Sequence, residues 1–371
     1  MRSNGLLSRP HKQGVPRGGM LDSARLAAEH DRAFARGEPM STPAPIERPA
    51  LDLDDIHALI KYESEAVDRE IARRLNSDIV LINQLGRYII QSGGKRLRPA
   101  LLLLSSKAFG YKGSAHITLA TVIEFIHTAT LLHDDVVDGS IMRRGRSSAN
   151  AVFGNEASVL VGDFLYSRAF EMMVEVKNLR VMEILAKATN TIAEGEVMQL
   201  INCNDPDVEE AQYLAVIRSK TAKLFEAASE LGAVLGGTPE TEPMMATYGR
   251  HLGTAFQLID DALDYGTQNK RLGKNIGDDL AEGKTTLPLI HVLRTGTKAE
   301  QALVRTAIEQ GGLERIDGVV AAIESTQAIA YTARRAEGEA DLARAALTPL
   351  PDSPYKQALL GLAYFSVHRD H

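Results

Sequence analysis

The chain has 371 residues, 44% of them hydrophobic, enough to bury about three quarters of its unfolded surface in a sizeable core. Its 42 basic and 48 acidic residues leave a net charge of −6, and no extended basic block follows residue 50, so no nucleic-acid partner is expected and small-molecule or protein partners are. A single cysteine, Cys203, rules out an intrachain disulfide framework and fits a reducing compartment, which makes the cytoplasm the expected location.

The first 40 or so residues are rich in Arg, Gly, Pro and Ser and contain no acid before Asp22. That superficially suggests a transit segment, but an apolar signal core is missing, and residues 1–50 are expected to be a disordered extension or the product of an upstream start. No uninterrupted apolar run approaches the roughly 20 residues that would span a bilayer, so an integral membrane protein is not expected. From Leu51 onward apolar residues recur at three and four, with Gly and Pro at the breaks and almost no period-two alternation. This spacing predicts an all-α domain over 51–371, with helices at 54–74, 78–92, 99–109, 115–138, 156–176, 179–202, 207–236, 241–267, 286–294, 298–311, 314–328, 330–347 and 353–368. No linker and no fixed-period repeat divides it.

Two aspartate clusters of one pattern punctuate these helices, residues 134–138 (DDVVD) and 260–264 (DDALD). One such cluster arises by chance in roughly one chain of this length in ten, and two in fewer than about one in a hundred. On the helix leading into the first, Ile123, His127, Thr130, Asp134 and Asp138 share one stripe, which stacks the two carboxylates one turn apart. Such a pair suits a hard divalent cation that keeps waters and bridges to phosphate oxygens. Gln257, Asp260, Asp261 and Asp264 repeat the spacing on a second helix. Facing one another, the two would form a polynuclear Mg²⁺ site able to make a diphosphate a leaving group.

Basic residues stand where an anionic substrate needs them. Residues 93–99 (GGKRLRP) place a Gly pair before three cations, with Pro99 expected as the first residue of the next helix. Arg143 and Arg144 follow the first cluster, and Lys274 and Lys284 follow the second within a Gly-rich run.

These segments, together with residues 160–170 (LVGDFLYSRAF) and the pair Lys220-Thr221, resemble the trans-prenyltransferases, specifically the octaprenyl to decaprenyl diphosphate synthases, over residues 55–371. The resemblance implies a single large helical bundle of the isoprenoid synthase type with a central active-site cavity. It implies that Lys95, Arg98, His127 and Arg144 hold isopentenyl diphosphate. It further implies that Arg143, Lys220, Thr221, Gln257, Lys274 and Lys284 hold the allylic diphosphate. Asp134, Asp138 and Asp260 match Mg²⁺ ligands, with Asp135, Asp261 and Asp264 as outer-shell or water-mediated members of the same metal site, which would hold about two to three ions.

What the resemblance implies chemically is ionisation of the allylic diphosphate, alkylation of isopentenyl diphosphate and loss of a proton to the departed diphosphate. It also implies that residues just upstream of the first cluster cap a product tunnel. Here these are the small Ala129 and Thr130, with Ile126 and Ile123 deeper, which favours a product of about C40 to C50; the lean is to decaprenyl, for a quinone side chain. A homodimer and transient membrane contact on product release are implied as well. A class I terpene cyclase would normally lack the second aspartate cluster, and a partner-dependent subunit would typically lose one of the two; both clusters are complete.

Overall fold

The computed structural model describes residues 51–91, 93–143, 145–266, 276–311 and 313–368, so the expected N-terminal extension, Arg144 and Lys274 lie outside the described residues. Helices α1 (Leu53–Leu59), α2 (Lys61–Leu75), α3 (Val80–Gln91), α4 (Leu97–Ala108) and α5 (Ala115–Val137) come first. A short hairpin, β1 (Met142–Arg143) against β2 (Arg146–Ser147), precedes α6 (Ala149–Phe153), α7 (Asn155–Glu175) and α8 (Leu179–Asn202). Helix α9 (Glu210–Ile217) passes through one π-helical turn (Arg218–Ala222) into α10 (Lys223–Gly236). The remaining elements are α11 (Glu242–Asp264), α12 (Asp278–Ala281), α13 (Leu287–Thr295), α14 (Lys298–Gln310), α15 (Ile316–Ser325), α16 (Ala328–Ala346) and α17 (Pro354–Val367).

The all-α expectation therefore holds, with local differences. The stretch expected as one helix over 54–74 breaks at Ile60, whose φ of −123° leaves the helical region. The hairpin and α12 are too short to leave a periodic signal in the sequence.

Helix α5 is apolar on almost every side, and such a helix has to be enclosed. Leu119, Val122, Ile123, Phe125, Ile126, Ala129 and Leu132 have no exposed surface at all. By length and composition this helix could cross a bilayer, although it contains no uninterrupted apolar run of that length; 67% of its apolar window is buried by α2, α4, α7 and α10, as expected of a core helix. Each large side chain buried there stabilises the fold by about 1.5–3 kcal/mol. Helix α11 is gripped between α10 and α16. A smaller apolar cluster of Tyr213, Leu214, Ile217, Leu258, Ile259 and Leu287 underlies its C-terminal half. The two aspartate clusters thus stand at the C-terminal ends of two helices held firmly in the bundle.

Candidate active site

Helix α5 ends where its apolar stripe turns acidic. Asp138 caps it and donates its backbone N–H to the Asp134 carbonyl at 2.8 Å, which sets the two residues one turn apart. Asp134 Oδ2 lies 3.5 Å from Lys220 Nζ, and Asp138 Oδ2 accepts from Lys284 Nζ at 2.8 Å. Burial pushes the Asp134 carboxyl above the ordinary carboxylate range, opposed by Lys220 and reinforced by Asp138. Lys220 also donates to Glu196 Oε2 at 2.6 Å, and Glu196 is pushed up to about 7 by burial and by the neighbouring Asp134. Asp135 points elsewhere. It is completely buried, its Oδ1 accepts from Arg143 Nε at 2.7 Å, and its carbonyl accepts from Asn150 Nδ2 at 3.0 Å. Asp134 and Asp138 face the two lysines, and Asp135 pairs with Arg143 of the hairpin.

On α11 the second motif is tied into a hydrogen-bonded relay. Thr221 Oγ1 donates to Gln257 Oε1 at 2.9 Å, Gln257 Nε2 donates to Asp261 Oδ1 at 2.7 Å, and the Tyr213 hydroxyl donates to Asp261 Oδ2 at 2.6 Å. Both oxygens of Asp261 are therefore used within the protein. Its carboxyl is raised well above the ordinary range by burial and by Asp279. Asp264 Oδ2 accepts from the Asp279 backbone N–H at 3.3 Å, and burial together with Asp279 pushes it up to about 8. Asp260 is partly buried on the same helix. Burial would lower the Lys284 ammonium, but the carboxylates of Asp279, Asp138 and Glu282 outweigh it and hold the group well above its usual range. A cavity of about 130 Å³ lies among Lys220, Thr221, Gln257, Asp261, Asp279 and Lys284.

The Gly-Gly-Lys-Arg turn enters α4 from the other direction. Gly93 has φ 80°, a conformation glycine adopts without penalty. Arg96 takes φ 48° as the N-cap and pairs with Glu124, so it is engaged in holding the turn. The helix starts at Leu97, two residues before the Pro99 expected to open it, and Pro99 occupies its first turn. Arg98 Nη1 lies 3.2 Å from His127 Nε2, and its guanidinium stacks 4.4 Å from the centre of the Phe225 ring. Lys95 lines a second cavity, of about 50 Å³, with Phe225, Leu252, Phe256 and Phe365. Behind the first motif, Ile126 and Ala129 are fully buried, while Thr130 is partly buried and donates to the His127 carbonyl at 2.8 Å.

The structure thus joins Asp134, Asp138, Lys220 and Lys284 in one charged network, Thr221, Gln257 and Asp261 in a second, and Arg98 with His127 in a third. Further residues, with no motif to mark them in the sequence, join these networks. Glu196 pairs with Lys220, Tyr213 and Asp279 brace the second motif, and Glu282 takes hydrogen bonds from Ser140 Oγ at 2.9 Å and from Lys284 Nζ at 2.5 Å. Glu282 stands in the Gly-rich run already noted. Glu196 and Tyr213 carry no signal beyond ordinary helix periodicity.

Comparison with known proteins decides what these networks belong to. The family model described as polyprenyl synthetase matches residues 79–324. The chain belongs to the polyprenyl synthetase family. It is 55% identical over 322 residues to the octaprenyl diphosphate synthase of Escherichia coli K12, covering 86% of this chain and 100% of that one. The enzyme's fold matches the crystal structure of a polyprenyl synthase from Caulobacter crescentus complexed with calcium and isoprenyl diphosphate, with a TM-score of 0.83 and 43% identity over 87% of this chain and 100% of that one. A decaprenyl diphosphate synthase from Rhodobacter capsulatus gives 0.81 and 43% over 86% and 99%. The fold is the isoprenoid synthase bundle, and the activity is that of a prenyltransferase, a long-chain trans-polyprenyl diphosphate synthase. These relatives do not favour the terpene cyclase or the partner-dependent subunit.

Proposed function

We propose that the enzyme extends farnesyl diphosphate with successive units of isopentenyl diphosphate to an all-trans C40 chain, octaprenyl diphosphate, that becomes the side chain of a quinone. The observation that best supports this reading is the pairing of Lys220 with Asp134 and of Lys284 with Asp138, two lysines read as allylic-side contacts that flank the first acidic motif. The 55% identity to an octaprenyl diphosphate synthase moves the chain-length assignment from the decaprenyl lean of the sequence to C40.

The donor set fits Mg²⁺. Among the described residues no three His, Cys, Asp or Glu side chains converge into a complete cage. The fit rests on Asp134 and Asp138, carboxylates one turn apart at the end of α5, which a hard divalent cation would take together with water and substrate oxygens, Asp260 being the third protein ligand. Bound there, the metal would supply Lewis acidity to the diphosphate. Lys220, Lys284 and Arg143 gather the negative charge that builds on the leaving diphosphate, and Thr221 and Gln257 orient it. Lys95, Arg98 and His127 hold isopentenyl diphosphate. The allylic C–O bond breaks, C1 of the allylic cation bonds to C4 of isopentenyl diphosphate, and the proton lost from C2 goes to the departed diphosphate. Apolar walls at Ile126 and Ala129 keep water from the cation.

A homodimer suits the surface of α7 and α8, where Leu160, Val174, Leu179, Val197, Leu200 and Ile201 are each more than half exposed. Val197, Leu200 and Ile201 form one stripe at helical spacing. A cytoplasmic location, with brief membrane contact as the product leaves, completes the reading.

Incubation of the purified enzyme with Mg²⁺, farnesyl diphosphate and isopentenyl diphosphate, with an EDTA control, tests it by mass spectrometry. A Mg²⁺-dependent C40 diphosphate is expected. A product of another length overturns the chain-length assignment, and no extension overturns the reaction.

A further inference from the structure

The turn that presents Lys220 and Thr221 is wound differently from the helix on either side of it. Residues 218–222 form a π-helical turn, while Ile217 before it and Lys223 after it keep ordinary right-handed geometry. One extra residue is thereby wound into an unbroken helix, which rotates the side chains beyond it by about 100° relative to an uninterrupted α-helix. Wide turns of this kind are costly alone and persist where their surroundings hold them.

Here the surroundings close on the turn from two sides. A Cβ on Gly195 of α8 would come within 2.8 Å of the Lys220 backbone nitrogen and 2.9 Å of Ser219 Cβ. On the opposite side a Cβ on Gly253 of α11 would come within 2.6 Å of Ala222 Cα. Only hydrogen in place of a side chain at both positions admits the turn at its present depth. A hydrogen-bonded chain, buried except at its arginine, fixes its first residue. Arg218 Nη2 donates to Glu339 Oε1 at 3.0 Å, and Glu339 Oε2 lies 2.5 Å from His251 Nδ1, with Glu339 1% and His251 4% exposed. None of these residues reaches the cavity beside Lys220 and Thr221, yet all of them bear on the backbone that aims those two side chains into it.

We propose that Gly195, together with the Arg218–Glu339–His251 chain, positions the allylic diphosphate contacts by holding the π-turn in register. The proposal rests on the reading of Lys220 and Thr221 as allylic contacts. It assigns binding of the allylic substrate, and not of isopentenyl diphosphate, to residues that touch neither.

The test compares KM for farnesyl diphosphate and KM for isopentenyl diphosphate in Gly195→Ala, Arg218→Lys and Lys220→Ala, and in the double variants that combine each of the first two with Lys220→Ala. Gly195→Ala and Arg218→Lys should each raise KM for farnesyl diphosphate roughly tenfold or more and leave KM for isopentenyl diphosphate within about twofold. Each double variant should lose clearly less than the sum of its two single losses, because a misaimed lysine and an absent one are the same loss and only the misplacement of Thr221 is added. Equal rises in both KM values, additive losses, or unchanged kinetics in Gly195→Ala and Arg218→Lys while Lys220→Ala loses the allylic substrate would overturn the positioning role alone. An unchanged KM for farnesyl diphosphate in Lys220→Ala would instead overturn the reading beneath it. Should Gly195→Ala fail to fold, Arg218→Lys gives the same comparison, since that side chain is 29% exposed.

Discussion

Lys284 Nζ reaches Asp138 Oδ2 at 2.8 Å across 146 residues of sequence, and the same ammonium bonds Glu282 at 2.5 Å. One lysine therefore ties the end of α5 to the segment that follows the second acidic motif. Lys284→Met leaves Asp138, Asp279 and Glu282 to repel one another. It should lower kcat/KM for farnesyl diphosphate by about a hundredfold and lower the melting temperature of the ligand-free enzyme, with Mg²⁺ restoring part of that loss. Steady-state kinetics and a thermal melt with and without Mg²⁺ measure both effects.

Arg143 and Asp135 form the brace beneath the first motif, Asp135 having no exposed surface. Removal of the cation strands a buried carboxylate, so Arg143→Ala should cost about 3 kcal/mol of stability in addition to its kinetic effect. Denaturant unfolding of Arg143→Ala beside Arg143→Ala/Asp135→Asn separates the two contributions: the double variant should recover much of the stability and none of the activity.

Ala129 lies on α5 five residues before Asp134, about 7.5 Å deeper along the helix. It is fully buried between Ile126 and the motif. Ala129→Phe should shorten the product, at an overpacking cost of about 1–3 kcal/mol. Reverse-phase analysis of the dephosphorylated products reads the length directly, and an unchanged length would place the tunnel elsewhere.

Burial works to raise the Glu339 carboxyl, but its hydrogen bond to His251 and the charges of His251, Arg218 and Arg335 prevail and bring it down to about 2 from 4.5. A carboxyl lowered in the folded state contributes stability that is fully present above pH 4.5 and is lost as the pH falls toward 2. The loss should amount to about 3 kcal/mol over that window. Urea midpoints recorded from pH 6 downward should fall more steeply for the wild type than for Glu339→Gln, which has no such proton to bind.

How much of this was legible in the sequence depends on how local the cause is. Asp134, Asp138 and the apolar stripe leading to them are one helix read at its own period, and α5 and α11 appear close to where that period put them. The Asp135–Arg143 brace was hidden because it needs the chain to turn back after α5, where Gly139 has φ 64°, into a strand of two residues. Arg98 and His127 meet although nothing in their spacing says so, and only family resemblance grouped them. The π-turn left no trace in the sequence either: one extra residue in a helix changes neither composition nor hydrophobic content, and its cause lies in Gly195, Gly253 and Glu339 on three other helices. Glu196 was missed for a related reason, since a single acid on a helix face has the appearance of an ordinary solvated residue until Lys220 is placed against it.

On the proposed reading, the first acidic motif makes the allylic diphosphate leave, through Asp134 and Asp138. Turnover of Asp134→Asn/Asp138→Asn at saturating farnesyl and isopentenyl diphosphates with Mg²⁺ tests it most directly, with circular dichroism to establish that the helices are intact. The expected result is a loss of at least about a hundredfold in a folded protein. Retention of most of the wild-type turnover would contradict it.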